Sequence, residues 1–319
     1  MSNVSKIFSD LLEDASDTQA LPEEKRLAEN DYERDGRTGL PRAFEQMPAE
    51  SGGQSTLLAR SAVFTLNRRG RRRNLKDVDV QSRDHSGIAI TYTGEELQQS
   101  EQEVWMACLR LFKKQGLSIG DTMYVYSDDF LKDMQRPCNK EQRKKLGEQL
   151  IRLALGSFIF TKHEPDLLNG VDGFKKDGRG SVQRLIDYAW DTEKRMHAIC
   201  LTQATAFLFE RMTYVDWAKH LSLDGRSQSG LLQKLNTYVS SDKDGWNQKI
   251  TYSDLKLLLG VDYDVRSDKA FRERIRLALI ELEKAGEISQ VRMKKMGQDF
   301  TFHWKRVGYK QPDLLGFDK

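Results

Sequence analysis

The chain has 319 residues, of which 38% are hydrophobic and 31% charged, with a formal net charge of only +3. That apolar content suffices for two cored domains plus a tail, and no apolar run approaches the ~20 residues needed to span a bilayer. Residues 1–10 lack the apolar core of a secretory signal, so a cytoplasmic protein with no membrane attachment is expected.

Charge is segregated along the chain. Residues 1–50 hold 12 Asp and Glu against 6 Lys and Arg, whereas Arg68-Arg69-Gly70-Arg71-Arg72-Arg73 is almost wholly cationic. Residues 1–85 read as a flexible arm: an acidic, apolar-poor start, a Gly and Ser stretch at 51–55, then the arginines. Within it, residues 4–14 place Val4, Ile7, Phe8, Leu11 and Leu12 on one face of a short helix, a candidate docking element. Such a segregated chain can bind a polyanion without being basic overall. Arg71, Arg72 and Arg73 are accordingly candidate DNA contacts.

Order is predicted from residue 86. A strand at 88–92 precedes a helix at 100–115 carrying Val104, Trp105, Cys108, Leu109 and Phe112. A strand at 123–126, a short helix to Met134 stopped by Pro137, and a helix at 140–155 capped by Asn139 follow. That last helix crowds Lys140, Arg143 and Lys144 into its first turns, which makes them candidates for phosphate contact. Strands are expected at 157–160, 184–190 and 195–201, then helices at 213–219 and 227–240.

The stretch 250–306 carries the clearest functional signal. Ser253 starts a short apolar helix that Gly260 ends. A second helix, 267–285, buries Phe271, Ile275, Leu279 and Leu282 at helical spacing and leaves Lys269, Arg272 and Arg276 outside. Residues 287–291 and 299–305 then form a hairpin with a basic tip holding Lys294 and Lys295. Helix, turn, basic helix and basic hairpin make a winged helix-turn-helix. Arg272 and Arg276, with Lys269, suit base edges, and Lys294 and Lys295 suit phosphates. Residues 86–210 repeat the same order of elements. The predicted fold is thus α+β, with two tandem winged-helix domains, 86–210 for DNA contact and 211–306 as principal sequence reader. The arm 1–85 precedes them and a tail, 307–319, follows.

Other chemistry finds little support. Cys108, Cys138 and Cys200 are odd in number and widely spaced, and His85, His163, His197, His220 and His303 form no ligand-spaced set, so neither disulfides nor a metal is expected. The loop 173–181 approaches a phosphate-binding loop, yet Arg179 and Gly180 stand where Lys and Ser or Thr are required. Asp254, Asp262, Asp264 and Asp268 read as caps and turn formers. No cofactor and no enzymatic activity are predicted.

Ile88-Ala89-Ile90-Thr91-Tyr92-Thr93-Gly94-Glu95-Glu96-Leu97, with Glu103-Val104-Trp105-Met106, resembles the opening of the TrfA-type plasmid replication initiators. Thr213-Tyr214-Val215-Asp216-Trp217, the helix-turn-helix after Ile250 and the segment Arg60 to Arg73 extend the likeness over about residues 60–319. The resemblance implies two winged-helix domains that bind iterons in double-stranded origin DNA, local duplex opening, and recruitment of the host replication initiator and replicative helicase. It also implies a monomer–dimer equilibrium with the monomer active, self-association being expected on the first domain through strand edges such as 88–92. Residues 311–317 resemble a sliding-clamp-binding peptide. The competing reading is a dimeric transcriptional repressor or plasmid copy-control regulator, which would bind a palindrome rather than head-to-tail repeats.

Overall fold

The computed structural model describes residues 42–48, 50–66, 72–83, 87–162, 179–224, 229–242, 247–261, 268–297 and 299–307. The expectations for residues 4–14, Arg71, the loop 173–178 and the peptide 311–317 lie outside the described residues. In chain order come α1 (Arg42–Glu45), β1 (Ser51–Ser55), α2 (Thr56–Ala59), β2 (Asn74–Val80), β3 (Ile88–Glu95), α3 (Gln99–Lys114), β4 (Thr122–Val125), α4 (Ser127–Asp133), α5 (Lys140–Leu155), β5 (Ser157–Lys162) and β6 (Arg179–Gln183). They are followed by β7 (Ile186–Asp191), β8 (Met196–Leu201), a 3-10 turn at Gln203–Phe209, β9 (Met212–Asp216), α6 (Trp217–Ser222) and α7 (Ser229–Ser240). The chain ends on β10 (Asn247–Thr251), α8 (Tyr252–Leu258), α9 (Asp268–Lys284), β11 (Ile288–Met296) and β12 (Asp299–Arg306). The result is a mixed α and β fold with small antiparallel sheets.

Apolar side chains collect into two cores. The first joins Phe44, Leu58 and Phe64 to Trp105, Phe112, Phe130, Leu150, Phe209 and Trp217. The second joins Leu231 and Leu235 of α7 to Leu255, Phe271, Ile275, Phe302 and Trp304. Each large side chain so buried contributes about 1.5–3 kcal/mol. Around each core one plan repeats. In the first unit α3, β4, α4 and α5 follow one another, β7 and β8 come after the intervening β5 and β6, and the sheet runs β4-β8-β7; in the second, α7, β10, α8, α9, β11 and β12 follow without interruption and the sheet runs β10-β12-β11. The first unit adds a four-stranded sheet, β2-β3-β5-β6, and the pair β1-β9.

Four sequence expectations are corrected here. Residues 42–66 are not part of a flexible arm: β1 pairs with β9, Ser51 opposite Asp216, and is buried throughout. The glycines that suggested a linker are there for packing, since a Cβ on Gly52 would lie 2.5 Å from the Trp217 ring and one on Gly53 2.5 Å from Met47 Sδ. Residues 60–66 then join the cores. Leu66 belongs to the second core and its N–H donates to Leu259 O at 3.0 Å, Lys234 Nζ donates to Ser61 O at 3.0 Å, and Arg60 lies over the Tyr238 ring. Gly260 adopts φ +67 at the end of α8, with Thr65 where a side chain would have to go.

The second correction concerns residues 88–92, which do not form a free edge. β3 is hydrogen-bonded to β2 on one side and β5 on the other, so both rows of its backbone groups are taken. The third is that residues 212–216 form a strand and helix starts only at Trp217, where the Asp216 carboxylate caps it by accepting from Lys219 N at 3.0 Å. The alternation of buried and half-buried residues along β9 is the period of a strand. The last is that α8 starts one residue earlier than Ser253 implied. Thr251 ends β10 and caps α8, its Oγ1 accepting from Asp254 N at 3.1 Å.

Candidate nucleic-acid interface

Helix α9 buries Phe271, Ile275, Ala278, Leu279 and Leu282 against the second core. Its start is tied to α8: Tyr252 OH donates to Asp268 Oδ1 at 3.2 Å, and Lys256 Nζ donates to the same oxygen at 3.0 Å. The Lys256 contact holds the Asp268 carboxyl below the usual range. These bonds set the angle between the helices and so the direction in which the outer face of α9 points. On that face Lys269 is exposed. The Arg272 guanidinium stacks over Phe300 with its carbon 3.7 Å from the ring centroid, an arrangement that lowers the rotational freedom an arginine loses on contact. Arg276 closes a fork on Glu273 of its own helix, with bonds of 2.6 and 2.9 Å. An exposed pair of that kind is weak, screened by solvent, so a phosphate or guanine edge can replace the carboxylate at little cost.

The hairpin is longer than the sequence suggests, since β11 runs to Met296 and the turn is at Gly297. Its cations therefore lie along a strand rather than at a tip. Adjacent residues point to opposite faces. Lys295 pairs with Phe300 and shares its face with Arg272, whereas Lys294 pairs with Thr301 and shares the other face with Arg292, which pairs with His303. Between Ser289 and Arg292 a bulge, with Gln290 at φ 58, places an extra residue in β11.

Candidate residues of the first unit have a different setting. Asn139 caps α5 by accepting from Gln142 N at 2.9 Å. Lys140 and Lys144 are exposed, Lys144 within 3.8 Å of Glu148. Arg143 makes a two-pronged bond to Asp128 at 2.7 and 2.8 Å, tying α5 to α4 and holding the Asp128 carboxyl below its ordinary range. Arg72 donates to both oxygens of the fully buried Glu101 at 2.7 and 3.0 Å, beside Arg152 at 3.2 Å. Arg73 bonds buried Glu96 at 2.8 Å. Stripping a buried carboxylate of its partner costs ~3–5 kcal/mol, so Arg72 is committed to the interior where it stands.

Buried titratable groups here are architectural. His197 joins Ser127 Oγ at 2.9 Å and Tyr188 OH at 3.1 Å, fastening the start of α4 to the sheet, and burial pushes its pKa down to about 4. No carboxylate orients the ring, as a hydrolytic triad requires. Among the described residues no three His, Cys, Asp or Glu side chains group as a metal site, and no helix is long and apolar enough to cross a membrane.

The TrfA protein family matches residues 46–306. The chain belongs to the TrfA family. The match opens beside the buried strand β1, earlier than the sequence likeness suggested, and closes at the end of β12. The TrfA-family chain also shares its fold with domains 2 and 3 of RctB: the crystal structure of their selenomethionine derivatives aligns with a TM-score of 0.52 at 12% identity, over 80% of this chain and 99% of that one. A second crystal structure of the two RctB domains gives 0.46 at 11% identity, over 76% and 95%. At such identity the likeness is one of fold. No curated protein matches the sequence.

Sequence reasoning missed Lys249, Arg292 and His303, which the sheet brings into one row, Lys249 opposite His303 and His303 opposite Arg292. Alternation along β12 was legible, but β10, just ahead of the helix expected from Ser253, was assigned to no element.

Proposed function

We propose that this TrfA-family chain is a plasmid replication initiator that binds iterons in origin DNA, opens the neighbouring duplex with binding energy and recruits the host initiator and helicase. The observation that carries this reading is α9, clamped to α8 through Asp268, presenting Lys269, Arg272 and Arg276 beside a basic hairpin. In this reading both repeated units are winged-helix domains, α5 and α9 being the helices that enter successive major grooves ~34 Å apart. Arg272 and Arg276 read base edges, Lys269 supports them, Lys295 and Lys294 hold phosphates, and Lys140, Arg143 and Lys144 steady the first unit on the backbone. The protein acts by binding, without a catalytic step, as a monomer in equilibrium with a dimer.

The test is binding to head-to-tail origin repeats across a salt series, comparing the native chain with Arg272→Ala plus Arg276→Ala. Loss of about 1–3 kcal/mol of discrimination per arginine, with nonspecific binding retained, is expected. Unchanged sequence preference would remove α9 as the reader.

A further inference from the structure

The outer face of the β10-β12-β11 sheet is the side away from the second core. Ile250, Phe302 and Trp304 point inward, and the alternate residues Lys249, His303 and Lys305 point outward. The bulge in β11 brings Arg292 and Lys294 to that same outer side. A hollow of about 220 Å³ opens there, its walls including Asn247, Gln248, Gln290, Arg292, Lys294 and His303. Among the described residues no carboxylate lines it.

Three further facts concern the electrostatics. Lys249 and Arg292 stand on either side of His303 across three strands, so that a proton on the ring completes a row of like charges, which destabilises a sheet unless something offsets it. His303 Nε2 is buried and has no hydrogen-bond partner. The His303 ring is held below its ordinary pKa, first by burial and then by the positive charges of Lys294, Lys249 and Arg292. The groups facing His303 are Lys249 from β10 and Arg292 and Lys294 from β11, with Lys305 two residues along its own strand.

We infer that this face holds a second phosphate-binding site, formed by Lys249, Arg292, Lys294 and His303, that grips the sugar–phosphate backbone of a nucleic-acid segment other than the one lying along α9. The chemistry follows from the donors: the Lys294 ammonium, the Arg292 guanidinium fork and the His303 imidazole line a cavity flanked by amide side chains, and Lys249 stands opposite His303 on the next strand, a set that matches phosphate oxygens. Phosphate would offset the row of like charges and favour the protonated imidazole. Lys294 and Lys295, neighbours in sequence, thereby serve different segments. Two strands or duplexes could be held on opposite sides of one small sheet.

The experiment uses the full chain saturated with unlabelled duplex carrying the origin repeats, to which a fluorescent oligonucleotide lacking the repeat is added, single-stranded in one arm and duplex in another. Capture is read by anisotropy. The native complex is expected to capture a labelled oligonucleotide, and Lys249→Gln plus Arg292→Gln to weaken capture by about tenfold while lowering its salt slope by about two, with repeat binding within about twofold of native. Isotope-labelled histidine should show His303 titrating at higher pH in the captured complex. Unchanged capture overturns the inference. Equal loss of capture and repeat binding also overturns it, because the outer face would then belong to the segment on α9. Inorganic phosphate or a mononucleotide competing as well as the oligonucleotide, phosphate for phosphate, would overturn the backbone assignment. Failure of the α9 reading gives a different result: Arg272→Ala leaves repeat binding intact while capture still depends on Lys249 and Arg292. Both substituted side chains are exposed, and an unchanged melting temperature confirms that the variant folds.

Discussion

In the first unit α5 opens with Lys140, Arg143 and Lys144, but its hairpin, β7 and β8, is of mixed charge, Asp187 and Asp191 in the strand and Glu193 beside Lys194 and Arg195 in the turn; in the second, α9 opens with Lys269 and Arg272 and its hairpin carries Arg292, Lys294, Lys295 and Lys305. Strand order is the same in both, so topology alone does not assign a function. What separates them is where the arginines are spent. Around the first core Arg72, Arg110, Arg136 and Arg152 face carboxylates that are buried or nearly so, and serve as internal fasteners. Around the second, Arg306 is a buried fastener of the same kind, on Glu287, but Arg272 lies on an aromatic ring and Arg276 on an exposed glutamate, positions from which each can turn to a ligand.

That contrast can be broken at either end. The largest effect is expected from Arg72→Ala, which strips a two-pronged partner from buried Glu101: chemical denaturation should show a loss of about 3 kcal/mol, while repeat preference stays native. A fall in preference without a fall in stability would place Arg72 among the DNA contacts instead. Arg272→Ala should do the reverse, costing about 1–3 kcal/mol in discrimination between the repeat and a mismatched repeat and little stability; competition titration measures it.

The junction between the cores offers a pH test. Lys234 is wholly buried, and burial lowers its pKa to about 7 from 10.5. A depressed lysine favours the folded state above its unfolded pKa, and this advantage is lost as pH falls through about 7. Stability should therefore rise by roughly 1.4 kcal/mol per pH unit between about pH 7 and 10 from this group alone. Lys234→Met is expected to remove that slope in denaturation curves at several pH values. Lys295→Ala should weaken binding to every sequence and lower the salt slope by about one. Smallest of all, Arg143→Ala breaks an exposed pair and should leave stability close to native; a clear loss in calorimetry would show that the Asp128 bond fixes the angle of α5.

The long helices were legible because α3, α5 and α9 each run four turns or more with apolar residues at helical spacing, and the order of elements followed from them. Three strands escaped for separate physical reasons. β1 is glycine and serine because Trp217 and Met47 need the space, and no local signal records a neighbour more than 150 residues away. β2 alternates weakly through Asp77 and Asp79, residues poor in strands elsewhere. β10 has one inward apolar residue, Ile250, followed at once by a helix. The candidate cations were found by type and spacing, but which were already engaged was not. Glu101 as the partner of Arg72, or His303 as the neighbour of Arg292, is information held by tertiary pairing.

The bulge at Gln290 has a consequence for inheritance of this surface. Because faces alternate residue by residue, regular pairing continued from Ser289 without the bulge would place Val291 opposite His303 and carry Arg292 and Lys294 inward while turning Met293 and Lys295 out. Composition, net charge and hairpin length would scarcely change. The division of labour between the two sides of the hairpin is thus written in a backbone irregularity, and a relative lacking one residue there would keep Arg292 opposite His303 with no bulge at all, whereas a shift of one in the pairing would exchange the two faces.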